Sequence, residues 1–114
     1  MERAIQEKSF HFAVRITKLC RHLRCEKREF TLTQQLLRSG TSIGANVVEA
    51  EQAESRADFT HKMSIALKEA KETNYWLRLM YETEYLSDKE FNSIMRDCLE
   101  VEMLLVSIVK TTKK

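Results

Sequence analysis

A chain of 114 residues fits one domain and leaves no room for a second. It has no proline and only two glycines, Gly40 and Gly44, which excludes a sheet protein rich in tight turns. The formal net charge of +2 does not by itself imply a nucleic-acid partner.

The first segment carries apolar or small residues at helical steps: Ile5, Ser9, Phe12, Ile16, Leu19 and Leu23. This spacing predicts a helix over about residues 4–24. Charges run through Met1 to Phe10, so no secretory segment is expected there. Residues 1–30 hold eight Lys/Arg against four Glu, a local excess of +4. Arg15, Lys18, Arg21, Arg24 and Arg28, with Lys27, form a basic band roughly opposite the seam. They are the candidate phosphate-contacting residues. Cys20, His22, Cys25 and His11 lie nearby, but the spacing matches no paired-cysteine zinc site, and no metal is expected. An odd count of three cysteines, with Cys98, points to reduced thiols in a cytoplasm.

The second seam reads Leu32, Leu36, Ser39, Ile43, Asn46, Ala50 and Ala53, predicting a helix over about 32–53. Thr31 with Gln34 forms the expected capping box at its start. Within it, Ser39 to Ala45 offers almost no side chains on one face. Glycine costs about 1 kcal/mol in a helix relative to alanine. Two glycines four apart therefore predict close approach of a second helix. The stretch lacks the Gly-Lys-Ser/Thr of a phosphate-binding loop.

The third seam, Phe59, Met63, Ala66, Ala70, Thr73, Leu77 and Met80, predicts a helix over about 56–84, capped by Ser55 with Asp58. At ~1.5 Å per residue it runs roughly 43 Å and outreaches its partners. The fourth, Phe91, Ile94, Cys98, Val101, Leu105 and Ile108, predicts a helix over about 88–110, capped by Ser87 with Glu90. Short connections force neighbours to run antiparallel. The expected fold is all-α, an up-down-up-down four-helix bundle. No run is long and apolar enough to span a membrane.

The turn near residues 54–55 sets a register between the second and third helices. Arg38 then falls within reach of Glu69 or Glu72, Asn46 near Met63, and Glu49 near Thr60 and His61. Arg38 with either glutamate is expected as an interhelical ion pair, and Asn46 as a register-fixing polar group. The catalytic alternative makes Glu49, Glu69, Glu72 and His61 an acid–base set or a carboxylate metal site. Di-metal bundles use Glu-x-x-His motifs, and no glutamate here is followed three residues later by histidine. No catalytic, cofactor or metal residues are assigned.

The fourth helix is apolar nearly all round, although a bundle helix buries only one stripe. Met103, Leu104 and Val106 are left over, as are Tyr75, Trp76 and Leu79 beside the third seam. Leftover surface of this kind marks a protein contact, so these six are the candidate oligomer residues.

Arg38-Ser-Gly-Thr-Ser-Ile-Gly-Ala-Asn46 and the later run from Phe59 to Leu77, with its Lys-Glu-Ala, Glu-Thr and Tyr-Trp-Leu elements, carry a resemblance. Their order and spacing resemble the bacterial four-helix-bundle proteins found as open reading frames in intervening sequences of 23S ribosomal RNA genes. The accessory variability determinant of diversity-generating retroelements belongs to the same superfamily. The resemblance implies a ring-like homopentamer. For the retroelement branch it also implies binding to nucleic acid and to a reverse transcriptase. Three functions follow as expectations. The first is a non-enzymatic self-assembling scaffold or adaptor with a basic face. The alternative is a nucleic-acid-binding accessory factor for a reverse transcriptase or ribosomal RNA. An enzyme, the third, lacks a nucleophile–base pair or metal constellation.

Overall fold

Leucine, alanine, glutamate, lysine and arginine favour helix, and the chain uses them in four long ones. The computed structural model describes residues 2–113. Its helices are α1 (Glu2–Glu26), α2 (Thr31–Glu51), α3 (Arg56–Glu82) and α4 (Asp88–Thr112), and no strand occurs among the described residues. The predicted limits fall within two residues of these. The expected overreach of α3 largely disappears: it has 27 residues, against 25 in each of α1 and α4.

Each helix packs on the next in sequence, α4 returns to α1, and the diagonal pairs do not meet. The cross-section is therefore a square in a particle of 44 × 20 × 19 Å. Contacts run in opposite senses along every adjacent pair. Ser9 lies at Gly44 and Ile16 at Gly40. Glu49 meets Lys62 and Ser39 meets Thr73. Arg56 meets Thr112 and Asn74 meets Glu102. Lys8 meets Glu100 and Arg15 meets Asp97. The bundle is up-down-up-down.

The core is the four seams: Phe12, Ile16, Leu36, Ile43, Met63, Leu77, Val101 and Leu105 are all buried. Leu19, Leu32, Phe59 and Phe91 were expected in the seams and are only partly buried. A stripe read at 3.5 residues drifts by ~20° per heptad around a straight helix, so Cys20 takes the position beside Leu19 into the core.

Helix starts follow backbone N–H satisfaction. Ser87 and Glu90 form the expected box on α4. Ser55 Oγ accepts from the Asp58 N–H, but the Asp58 carboxylate turns to the Glu54 N–H instead of completing a box. The Thr31–Gln34 box is absent. Thr31 is already the first residue of α2, so its side chain lies too far along to cap. The buried Glu29 carboxylate does this instead, accepting from Leu32 N–H (2.9 Å) and Thr33 N–H (3.3 Å). Arg28 (φ 55°) and Glu84 (φ 68°) turn the chain after α1 and α3 in the left-handed region.

The two glycines sit against α1. A Cβ on Gly40 would stand 2.8 Å from Ile16 Cγ2 and 3.0 Å from Cγ1. Ile16 is β-branched, stiff at χ1 and buried, so it cannot give way cheaply. A Cβ on Gly44 would stand 3.5 Å from the Ser9 carbonyl oxygen, an ordinary contact. Alanine in place of glycine gains up to about 1 kcal/mol of helix propensity, whereas overpacking costs about 1–3 kcal/mol. Gly44→Ala should raise the urea midpoint and Gly40→Ala lower it. The opposite order would show that α1 does not rest on Gly40.

Candidate nucleic-acid face and assembly surface

The basic band divides into two groups. Arg15 is half-buried and committed to α4: its guanidinium donates to Asp97 Oδ2 (2.8 Å), Ser93 Oγ (2.8 Å) and the Ser93 carbonyl (3.2 Å). Arg24 is half-buried and donates to Thr33 Oγ1 of α2 at 2.9 Å. These two hold helices together and drop out of the phosphate stripe. Lys18, Arg21, Lys27 and Arg28 are exposed and make no ion pair among the described residues. Arg28 lies over the Phe30 ring, 5.6 Å from its centroid. The band read from spacing thus yields four available cations, two in the C-terminal half of α1 and two in the connection that follows it.

The predicted polar pairs between α2 and α3 largely form. Arg38 reaches Glu69 (3.4 Å) and also Glu72. Glu72 in turn accepts from the Trp76 indole N–H at 2.9 Å. Trp76 is thereby half-buried in an interhelical network and is not a bare contact residue. Glu49 pairs with Lys62 (3.0 Å), not with Thr60 or His61, and the carboxylate it presents raises the Lys62 pKa above its ordinary value. Asn46 departs from expectation: its amide donates to the Ser42 carbonyl of its own helix at 2.8 Å. That back-bond satisfies it locally, so it does not fix register across helices. The buried bond that spans α2 and α3 joins the hydroxyls of Ser39 and Thr73 at 2.9 Å. Both residues were seam positions, and that was the signal for it.

A second network ties α3 to α4. Glu102 is 9% exposed and accepts from Asn74 Nδ2 at 2.8 Å, with Lys71 Nζ 3.7 Å away. Cys98 lies beside it, and burial pushes its thiol up to about 12, helped by the Glu102 charge. Burial likewise pushes Cys20 up to about 11. Both are protonated core groups at neutral pH, while Cys25 is exposed. Among the described residues no three His, Cys, Asp or Glu side chains gather as a metal site. No helix there is long and apolar enough to cross a membrane.

The leftover apolar surface concentrates on α4. Met103 is 72% exposed and Leu99, one turn earlier, 46%. With Val106 they border a shallow groove floored by Glu102 and closed by Ser107 and Lys110. Leu104 packs in part on the core and Leu79 is half-buried, so both contribute less than expected. Tyr75 is exposed and meets Trp76 edge-on at 5.1 Å. Leu99 was missed in the sequence, although its spacing of four from Met103 places it on the same outer face.

Removing the Thr73 hydroxyl leaves the buried Ser39 hydroxyl only its long bond to the Leu36 carbonyl (3.4 Å), and a poorly satisfied buried group costs about 1–3 kcal/mol. A partly exposed ion pair contributes at most about 1 kcal/mol. Thr73→Val should therefore destabilise the fold more than Arg38→Ala in urea denaturation. An equal or reversed ranking would place the α2–α3 register on the surface charges.

A protein of unknown function from the S23 ribosomal protein family of Bacteroides thetaiotaomicron has a crystal structure similar to this one. The two share 53% sequence identity over 96% of this chain and 97% of that one, with a TM-score of 0.94. No curated protein matches the chain. The model of the family described as 23S rRNA-intervening sequence protein matches residues 1–107, and the chain belongs to that family.

Proposed function

We propose that the chain is a non-enzymatic, self-assembling scaffold or adaptor of the cytoplasm. The observation that carries this is the apolar stripe on α4 of the exposed Leu99 and Met103 with the half-buried Val106. A bundle this small gains nothing from leaving such a stripe in water, and a partner surface would remove it. The ionisable groups point the same way. Arg38, Glu69, Glu72, Glu49, Arg15 and Asp97 are engaged in pairs between helices, which leaves them holding the fold together. The family resemblance supports reading the assembly as a ring of five copies.

A second reading adds nucleic acid as the cargo of the scaffold, in the manner of an accessory factor for a reverse transcriptase or ribosomal RNA. It rests on Lys18, Arg21, Lys27 and Arg28, four exposed cations without an acidic partner among the described residues. Cations of this kind neutralise phosphates and release counterions.

Light scattering at micromolar concentration tests the first reading. The expected mass is a multiple of the 13.4 kDa chain, and a monomer of that mass would end it. Titration of a labelled duplex at two salt concentrations tests the second. Each phosphate contact adds about 0.9 to the slope of log affinity against log salt, so replacing Lys18 and Arg21 by glutamate should flatten it by about 2. No retention at low salt, or a slope unchanged by the substitutions, would remove the basic face from function.

A further inference from the structure

The acids of this chain avoid one of its faces. Between Glu7 and Glu26 α1 has no Asp or Glu, and between Glu29 and Glu49 α2 has none. These two spans pack on each other, with Ser9 at Gly44, Ile16 at Gly40 and Arg24 at Thr33. Acid enters only at the margins of the outer α1–α2 surface. Glu7 pairs with Arg3 one turn before Phe10. The exposed Glu26 follows His22 by one turn, on the side of α1 that meets Glu90 of α4. The buried Glu29 is taken up by the N–H groups that open α2. Lys27 borders a hollow with Glu82, Glu84, Asp88 and Glu90, so it is set apart from this face.

Two phenylalanines stand on the same surface. Phe10 is 71% exposed and Phe30 51%, and neither belongs to the core. At ~1.5 Å per residue, the contacts between α1 and α2 place their backbones roughly 25 Å apart along the bundle. Between them, Lys18 and Arg21 share the outer side of α1 with Phe10 at helical steps. Arg28 lies over the Phe30 ring. None of these three cations has an acidic partner among the described residues. Unpaired cations interleaved with exposed rings suit a strand whose bases are free, because phosphates take the cations while bases stack on the rings. A duplex can use only the cations. Its base faces are stacked on one another and closed to Phe10 and Phe30.

We infer that the outer α1–α2 face binds single-stranded nucleic acid in preference to a duplex, with Lys18, Arg21 and Arg28 on phosphates and Phe10 and Phe30 as platforms for unpaired bases. This rests on the nucleic-acid reading above and names its ligand. Thr31 and Gln34, exposed in the first turn of α2 after Phe30, offer neutral donors and acceptors to base edges.

Fluorescence anisotropy tests the preference with a labelled strand long enough to span both rings, as RNA and as DNA, and with the duplex of the same sequence. The strands should bind about tenfold tighter than the duplex at matched salt. Phe10→Ala and Phe30→Ala should each weaken strand binding by about tenfold and leave duplex binding unchanged. The salt slope should not move, because a ring neutralises no phosphate. Phe30→Tyr keeps the π-face and should keep the affinity. Circular dichroism checks that each variant is helical, as expected for exposed positions. Preference for one strand type over the duplex supports the inference and names the sugar. Strands bound no tighter than the duplex, or alanine variants that bind them as the wild type does, overturn it. The nucleic-acid reading survives that outcome if glutamate at positions 18 and 21 still flattens the duplex slope. No retention of strand or duplex at low salt removes the reading and the inference together.

Discussion

The distance between α1 and α2 is the constraint on which the bundle depends. Ile16 rests where a side chain of residue 40 would otherwise stand, so the first two helices come together backbone to side chain. That approach sets one edge of the square. The other seams are filled by side chains such as Met63, Leu77, Val101 and Leu105. Dispersion grows with close contact, and the Ile16–Gly40 contact needs no polar partner to hold it. The cost is local helix propensity, borne by two glycines in the middle of α2.

The polar contacts between helices are graded by burial. At the surface, Arg38 and Lys62 reach across to carboxylates in water, where attraction is weak and screened. One layer in, Arg15 and Glu102 each satisfy several partners at once, and leaving either charge unpaired would be expensive. In the core lie the hydroxyls of Ser9, Thr33, Ser39 and Thr73 and the protonated thiols of Cys20 and Cys98. Charge is thus spent outside and shape inside, so the surface cations of α1 can be varied with little effect on the fold.

Fold class, helix count and topology were legible in the sequence because period, capping hydroxyls and scarce turn residues agree. So was the partner of Arg38, which follows from a single turn position. What failed had local causes. Glu29 caps α2 from a buried position that composition does not reveal, and Asn46 is satisfied by a carbonyl four residues back. Arg15 and Arg24 looked like the rest of the basic band. Which side of α1 meets α4, and which meets α2, depends on tertiary rotation that periodicity alone does not fix. Phe10 and Val48 lie off the seams, so helical period alone does not single them out as exposed apolar residues.

Both glycines of this chain are committed to the interior of a helix, and its turns manage without any. Arg28 and Glu84 therefore adopt a backbone shape that L-residues with a side chain resist, at roughly 1–2 kcal/mol each. A fold with strain in its connections and none to spare in its interior has an uneven tolerance for change. Relatives should drift freely, or even gain thermal resilience, at those two corners, while position 40 of the second helix stays closed to almost every alternative.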